Sequence, residues 1–426
     1  MAGACLATPG LMVGRGEADV LTHPRGVIGN GSNHARNIGL VDRGIEGGPR
    51  RRRSSGDATG RLAILGIIAS TVLLVIATFS IALNIETGDD VLKARVSYTP
   101  HDAIMIMGDA GFTSANGVTD GTGSAIDPFI IENWEIDASL DGFGVYVYST
   151  TDHYIIRNVH VFGAGSMGVV MYQAPHGAVE GCLMDNGMAG ILLMETNDCD
   201  VTGNEVTDQE LVGIELYTCQ WVNLTGNTLL NNNMSSLAGI DACNITVSSN
   251  TCSDSNWSGI MAEESGYWLI DDNNVSGNGF FGIGMNNTWE ITIEGNDVTS
   301  NAEYGVYLGN STDISVFHNV FIGNGVQALQ DSCVNMAWDD GYPSGGNYWS
   351  DYAGSDDYSG VDQDVPGADG IGDTPYLFDT GGNDRYPWMT PDMVIIPEFG
   401  ALVAPLLSVA LAACVISWAR RGRRHS

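Results

Sequence analysis

The sequence predicts an all-β fold, a right-handed parallel β-helix of about eight to ten coils. Three observations carry that prediction: a column of asparagines with a fixed period, a column of glycines with the same period, and apolar residues at fixed offsets between them. Asn204, Asn227, Asn250, Asn273, Asn296 and Asn319 are each 23 residues apart, and the same step backwards gives Gly181 and Asn158. Two positions after each lie His160, Leu183, Val206, Leu229, Cys252, Val275, Val298 and Phe321. Three positions before lie Ile155, Ala178, Val201, Leu224, Val247, Ile270, Ile293 and Val316. Gly144, Gly190, Gly213, Gly259, Gly282 and Gly305 are each followed by Val or Ile, with one turn expected to be longer between Gly213 and Gly239. A unit this short cannot bury its apolar face alone, whereas stacking unit on unit buries it continuously. Each strand then pairs in parallel with the strand one coil away, about 4.8 Å along the axis. The asparagines are expected at a bend, where Asn tolerates left-handed backbone and its amide reaches the next rung. A leucine-rich horseshoe lacks its leucine spacing here, and propeller blades need about 40 residues. Coils are thus expected over 144–335, with an opening cap at 84–143 and an acidic end segment at 336–396.

Charge reports topology. The 426 residues hold 17 Lys and Arg against 51 Asp and Glu, a net charge of -34, which argues against nucleic acid as a partner. Residues 1–61 are the exception, with Arg50 to Arg53 at their end, and read as a flexible cytoplasmic tail. Residues 62–83 carry no charge and reach about 33 Å as a helix, enough to cross a bilayer as a transmembrane helix or signal anchor. A second apolar stretch at 401–418 precedes Arg420, Arg421, Arg423 and Arg424, so both ends point to the cytoplasm. The segment 84–397 is then extracytoplasmic, and its bases are only Lys93, Arg95, Arg157 and Arg385.

Four constellations are candidates for chemistry. Asp362, Asp364, Asp369 and Asp373 sit in an acidic, glycine-bearing loop of the kind that supplies calcium with oxygen ligands. His153, His176 and Cys199 lie five places before successive repeat positions, so stacking would align two imidazoles and a thiol as a copper or zinc set. Asp185 with Asp208, and Asp271 with Glu294, differ by 23 and are expected about 5 Å apart, near the spacing of retaining glycosidases. Asp185 and Asp208 also fall in a column of turn residues, and Arg157 is the one base within the coils for lyase chemistry. Trp134, Tyr146, Tyr148, Trp221, Trp257, Tyr267, Trp289 and Tyr307 are scattered along the rod as possible sugar platforms. Cys219 and Cys243 fall in adjacent coils and are candidates for a disulfide.

The unit GIGMNNTWEITIEGNDVTSNAEYG resembles the repeats of the NosD-like β-helix family, described as periplasmic copper-related proteins. GFTSANGVTDGTGSAIDPFIIENWEI and GGNYWSDYAG, followed by DGIGDTPYLFDTGGNDRYPWM, resemble the opening and closing segments of its archaeal surface branch. At 397–426, IPEFG, an apolar stretch and a basic tail resemble a sorting signal read by an archaeosortase-like enzyme. The resemblance implies fold and cell-surface location more than activity. A non-enzymatic module that binds extracellular glycans or surface-layer proteins is expected. The alternatives are a copper-related maturation protein and a polysaccharide hydrolase or lyase.

Overall fold

Each coil of the chain is three strands joined by three bends, as in Ser258–Glu263, Gly266–Asp271 and Asn274–Ser276. The structure, a computed structural model, describes residues 97–163 and 165–391. The expected membrane-crossing stretches at 62–83 and 401–418, the cytoplasmic tail and the sorting signal lie outside them. Among the described residues no helix is long and apolar enough to cross a membrane.

Stacked first strands form a ten-stranded sheet from Ile104–Met107 to Val326–Asp331. Second strands form an eleven-stranded sheet from Val118–Asp120 to Val334–Ala337. Third strands form another of eleven, from Thr99–Pro100 to Tyr348–Trp349. Pairing along the stack is parallel, apart from the opening hairpin of Val118–Asp120 with Phe129–Glu132. Alternate side chains of all three sheets point inward, so Ile260, Ala262, Ile270 and Val275 meet in one dry core.

The asparagine column is a buried ladder. The Nδ2 of Asn204, Asn227, Asn250, Asn273, Asn296 and Asn319 each donates to the Oδ1 of the next, ending on Asn347, at 2.8 to 3.0 Å. The same Oδ1 accepts a backbone N–H from the preceding rung, so every amide is used on both sides. The left-handed residue is not the asparagine but the one before it: Gly203, Gly226, Ser249, Asp272, Gly295 and His318. That bend turns the next side chain inward, where the amide donates through its Nδ2 and accepts through its Oδ1 at once. A second ladder runs five residues later through Asn278, Asn301 and Asn324.

The first ladder ends on a carboxylate. Asp384 Oδ2 accepts the Asn347 N–H at 2.7 Å and the Trp349 indole N–H at 2.9 Å, and Oδ1 accepts the Tyr386 N–H. Asp384 is fully buried, and the neighbouring Arg385 is turned away to Asp339 at 2.7 Å. Burial pushes its carboxyl up to about 7, against the pull of those three donors.

Two details of register differ from the sequence expectation. No coil is lengthened after Gly213: Ile214 pairs with Leu237, so Ser236 takes the glycine position. Earlier, one coil is a residue short, since Ala178 pairs with Asp200 and Leu183 with Glu205. Cys182, not Gly181, therefore donates its N–H to Asn204 Oδ1. A slip of one residue reverses which face a side chain takes. Val161, Met184, Ile156 and Val179 are the core residues there, and His160, Leu183, Ile155 and Ala178 are turned outward.

Candidate functional site

The short coil separates the expected copper or zinc set. Cys199 is level with Gly177 and points into the core, where burial pushes its thiol up to about 11 and disfavours the thiolate a metal needs. His153 and His176 stack on the outer surface with ring centroids 4.6 Å apart, in a recess shared with Asp198 and Asp200. Cys219 is a free, buried thiol whose Sγ donates to the Leu193 and Tyr217 carbonyls, so the pairing with Cys243 does not form.

The acidic end loop uses its carboxylates on its own backbone. Asp373 accepts from the Asp357 and Tyr358 N–H groups and from Ser355 Oγ, and Asp356 accepts from the Asp369 and Gly370 N–H groups. Asp369 Oδ1 takes the Ile371 N–H. Asp362 and Asp364 lie on the link between the hairpin strands Tyr358–Ser359 and Val365–Pro366. Among the described residues, no group of three or more His, Cys, Asp or Glu side chains is placed to hold a metal ion, so the calcium expectation finds no support.

Of the carboxylate pairs, one is assembled and one is not. Asp185 pairs in register with Thr207, and Asp208 is a left-handed turn residue beyond it. Asp185 instead holds His160 Nε2 at 2.9 Å, while Glu135 lies 3.5 Å from His160 Nδ1. Asp271 and Glu294 are register partners on the second-strand sheet. Burial first, and then a neighbouring carboxylate, raises both: Asp272 acts on Asp271, and Asp271 on Glu294.

The outer face of the first-strand sheet is different in kind. Met188, Leu211, Met234, Trp257 and Phe280 form one column, joined by successive backbone hydrogen bonds. The last four are 37 to 45% exposed, in a rod that is otherwise acid-rich. Beside them runs an inner column of Leu192, Glu215, Ala238, Met261, Gly284 and Tyr307, each the register partner of the next. The two columns wall a groove. Beside Met261 and Tyr307 opens a recess of about 520 Å³ also lined by Trp257, Phe280, Phe281 and Tyr304, and the Phe281 ring packs over Gly284. Met261 is shared with a second recess of about 210 Å³, floored by Leu192, Ala238 and Glu215.

The rings in the groove are held at angles. Phe281 stacks on Tyr307 at 4.8 Å, and Trp257 and Tyr304 each meet Phe280 edge-on. Glu263 and Asn286 supply the polar groups of the larger recess, and the Asn286 amide donates to Glu263 Oε1 at 3.4 Å. Burial raises the Glu215 carboxyl in the smaller recess. A platform of rings beside a carboxylate and an amide suits a ligand with alternating apolar faces and hydroxyls.

Of the aromatics singled out from the sequence, Trp257 and Tyr307 line this groove, and Tyr146 and Tyr148 lie further along the same sheet. Trp221, Tyr267 and Trp289 are on the second-strand sheet, and Trp134 donates its indole N–H to Gly117 in the opening cap. Phe280, Phe281, Tyr304 and the Met188–Leu211–Met234 column were not anticipated. Their signal was available, since 188, 211, 234, 257 and 280 are 23 apart.

Two family profiles match the chain. One is described as a right-handed β-helix region and covers residues 189–342; the other, a periplasmic copper-binding protein (NosD), covers 102–240. No curated protein matches. Among solved structures, the A-module of the Azotobacter vinelandii mannuronan C-5 epimerase AlgE6 is 16% identical, with a TM-score of 0.41 over 49% of this chain and 73% of that one. The periplasmic alginate epimerase AlgG is 16% identical, with a TM-score of 0.43 over 56% of this chain and 67% of its own. Tailspike protein 2 from the Escherichia coli O157:H7 bacteriophage CAB120 is 12% identical, with a TM-score of 0.45; the match covers 63% of this chain and 42% of the tailspike.

Proposed function

The chain carries a NosD-like right-handed β-helix, and from that premise we propose that it works outside the cytoplasm as a non-enzymatic carbohydrate-binding module. The ligand site is the groove on the first-strand sheet. One observation carries this reading: Trp257, Phe280, Phe281, Tyr304 and Tyr307 gather around one open recess with Glu263 and Asn286 at hand. Rings held by their neighbours lose little entropy on binding a sugar face, and the carboxylate and amide take its hydroxyls. Anchoring through 62–83 and 397–426, with processing of the latter by an archaeosortase-like enzyme, completes the reading.

Trp257→Ala is expected to weaken glycan binding by the full chain about tenfold or more, because a half-exposed indole at a site centre is a typical hot spot. Its thermal midpoint should not move, since the indole lies outside the core. Affinity for a panel of polysaccharides, measured by titration calorimetry, checks both. No binding to any member, or equal binding by the variant, would overturn the proposal.

A copper-handling role, which the NosD description names, is the second reading, and the one observation in its favour is the His153–His176 stack. The donors do not fit it. Parallel rings present their nitrogens side by side, Cys199 faces the core, and among the described residues no third donor converges on the pair. His176→Ala is therefore expected to leave the copper content of the purified chain unchanged in elemental analysis. Loss of stoichiometric copper in that variant would restore the reading.

A further inference from the structure

We infer that the glycan this groove takes is an amine-bearing one, a polymer of amino sugars whose ammonium groups sit against Glu215 and Glu263. The inference rests on the carbohydrate reading above and adds the substrate class. It starts from the charges that a ligand in the groove would meet. The chain has a single lysine, Lys93, which lies outside the described residues. Both described arginines are already paired, Arg157 with Glu132 and Arg385 with Asp339, and neither lines the groove.

The groove itself holds two carboxylates and no cation. Glu215 interrupts the apolar floor of the smaller recess, between Leu192 and Ala238 in register. Glu263 stands in the larger recess with only the Asn286 amide near it, at 3.4 Å. An anionic polymer would bring its carboxylates against these groups with nothing to neutralise them, and like charges would repel. A neutral glycan satisfies the rings and offers the carboxylates hydroxyl donors, but no counter-charge. An amino sugar satisfies rings and carboxylates together. The two glutamates lie on different strands, Val212–Tyr217 and Ser258–Glu263, two coils apart. An extended chain lying along the rod meets both.

The test uses the full chain and three oligosaccharide probes: a chitosan pentasaccharide, its fully N-acetylated counterpart, and an alginate oligomer. The conditions are mildly acidic, so that the free amines are protonated. Chitosan should bind about tenfold more tightly than the acetylated chain at low salt, and that margin should shrink as salt screens the charges. The double variant Glu215→Gln, Glu263→Gln should bind chitosan no better than it binds the acetylated chain. Equal binding of chitosan and its acetylated counterpart, binding of alginate, or an unchanged chitosan margin in the double variant would overturn the amine assignment while leaving a carbohydrate site in place. Failure of all three probes, and of every glycan in the wider panel, would remove the carbohydrate reading and this inference with it.

Discussion

Replacing Asn273 by alanine is expected to lower the stability of the coiled region by about 4 kcal/mol. The amide sits in the middle of the ladder. Its Nδ2 donates to the Val247 and Asp271 carbonyls and to Asn296 Oδ1, and its Oδ1 takes both the N–H and the side-chain amide of Asn250. Truncation leaves at least two of these buried groups without a partner, each at about 1–3 kcal/mol. Asn274→Ala, one residue on and exposed, should change stability by less than about 0.5 kcal/mol. Urea unfolding of the two variants checks the pair. Equal, small losses would mean that the ladder contributes nothing beyond its backbone.

The second large effect belongs to Asp384. Its folded value is raised to about 7, while the unfolded chain ionises near the usual value of 3.8. Between these limits the folded protein keeps a proton that the unfolded chain has lost. The stabilisation is therefore full in acid, falls as pH rises from about 4 to about 7, and is gone above. Three units correspond to about 4 kcal/mol. Asp384→Asn cannot titrate. The stability difference between wild type and variant should shift by about 4 kcal/mol against the wild type from pH 4 to pH 8, measured by denaturant unfolding at each pH. A difference that stays constant would show that the carboxylate is not held as the ladder's buried terminus.

The repeat made most of the fold legible. Asparagines 23 apart were enough to place the ladder from Asn204 to Asn319, and the core residues near them followed. What failed was the position of a single missing residue. Between Ala178 and Asp200 the period drops by one, and below that point counting placed His153, His176, Ile155 and Leu183 on the wrong face. Period alone does not say which coil is short, and inward–outward parity turns on it. The same limit hid the proposed binding face. Met188, Leu211, Met234 and Phe280 look like core residues in composition, and only the bend preceding each first strand turns them outside. Asp384 was unreadable for another reason. It lies beyond the repeat and joins the ladder through a connection of 37 residues that no period describes.

Hydroxyl-radical footprinting of the full chain, with and without bound glycan, tests the central claim most directly. Protection is expected at Trp257, Phe280, Tyr304, Tyr307 and Met261, while Trp221, 53% exposed on the second-strand sheet, keeps its full reactivity. Protection of Trp221 with the groove residues left reactive would contradict the account.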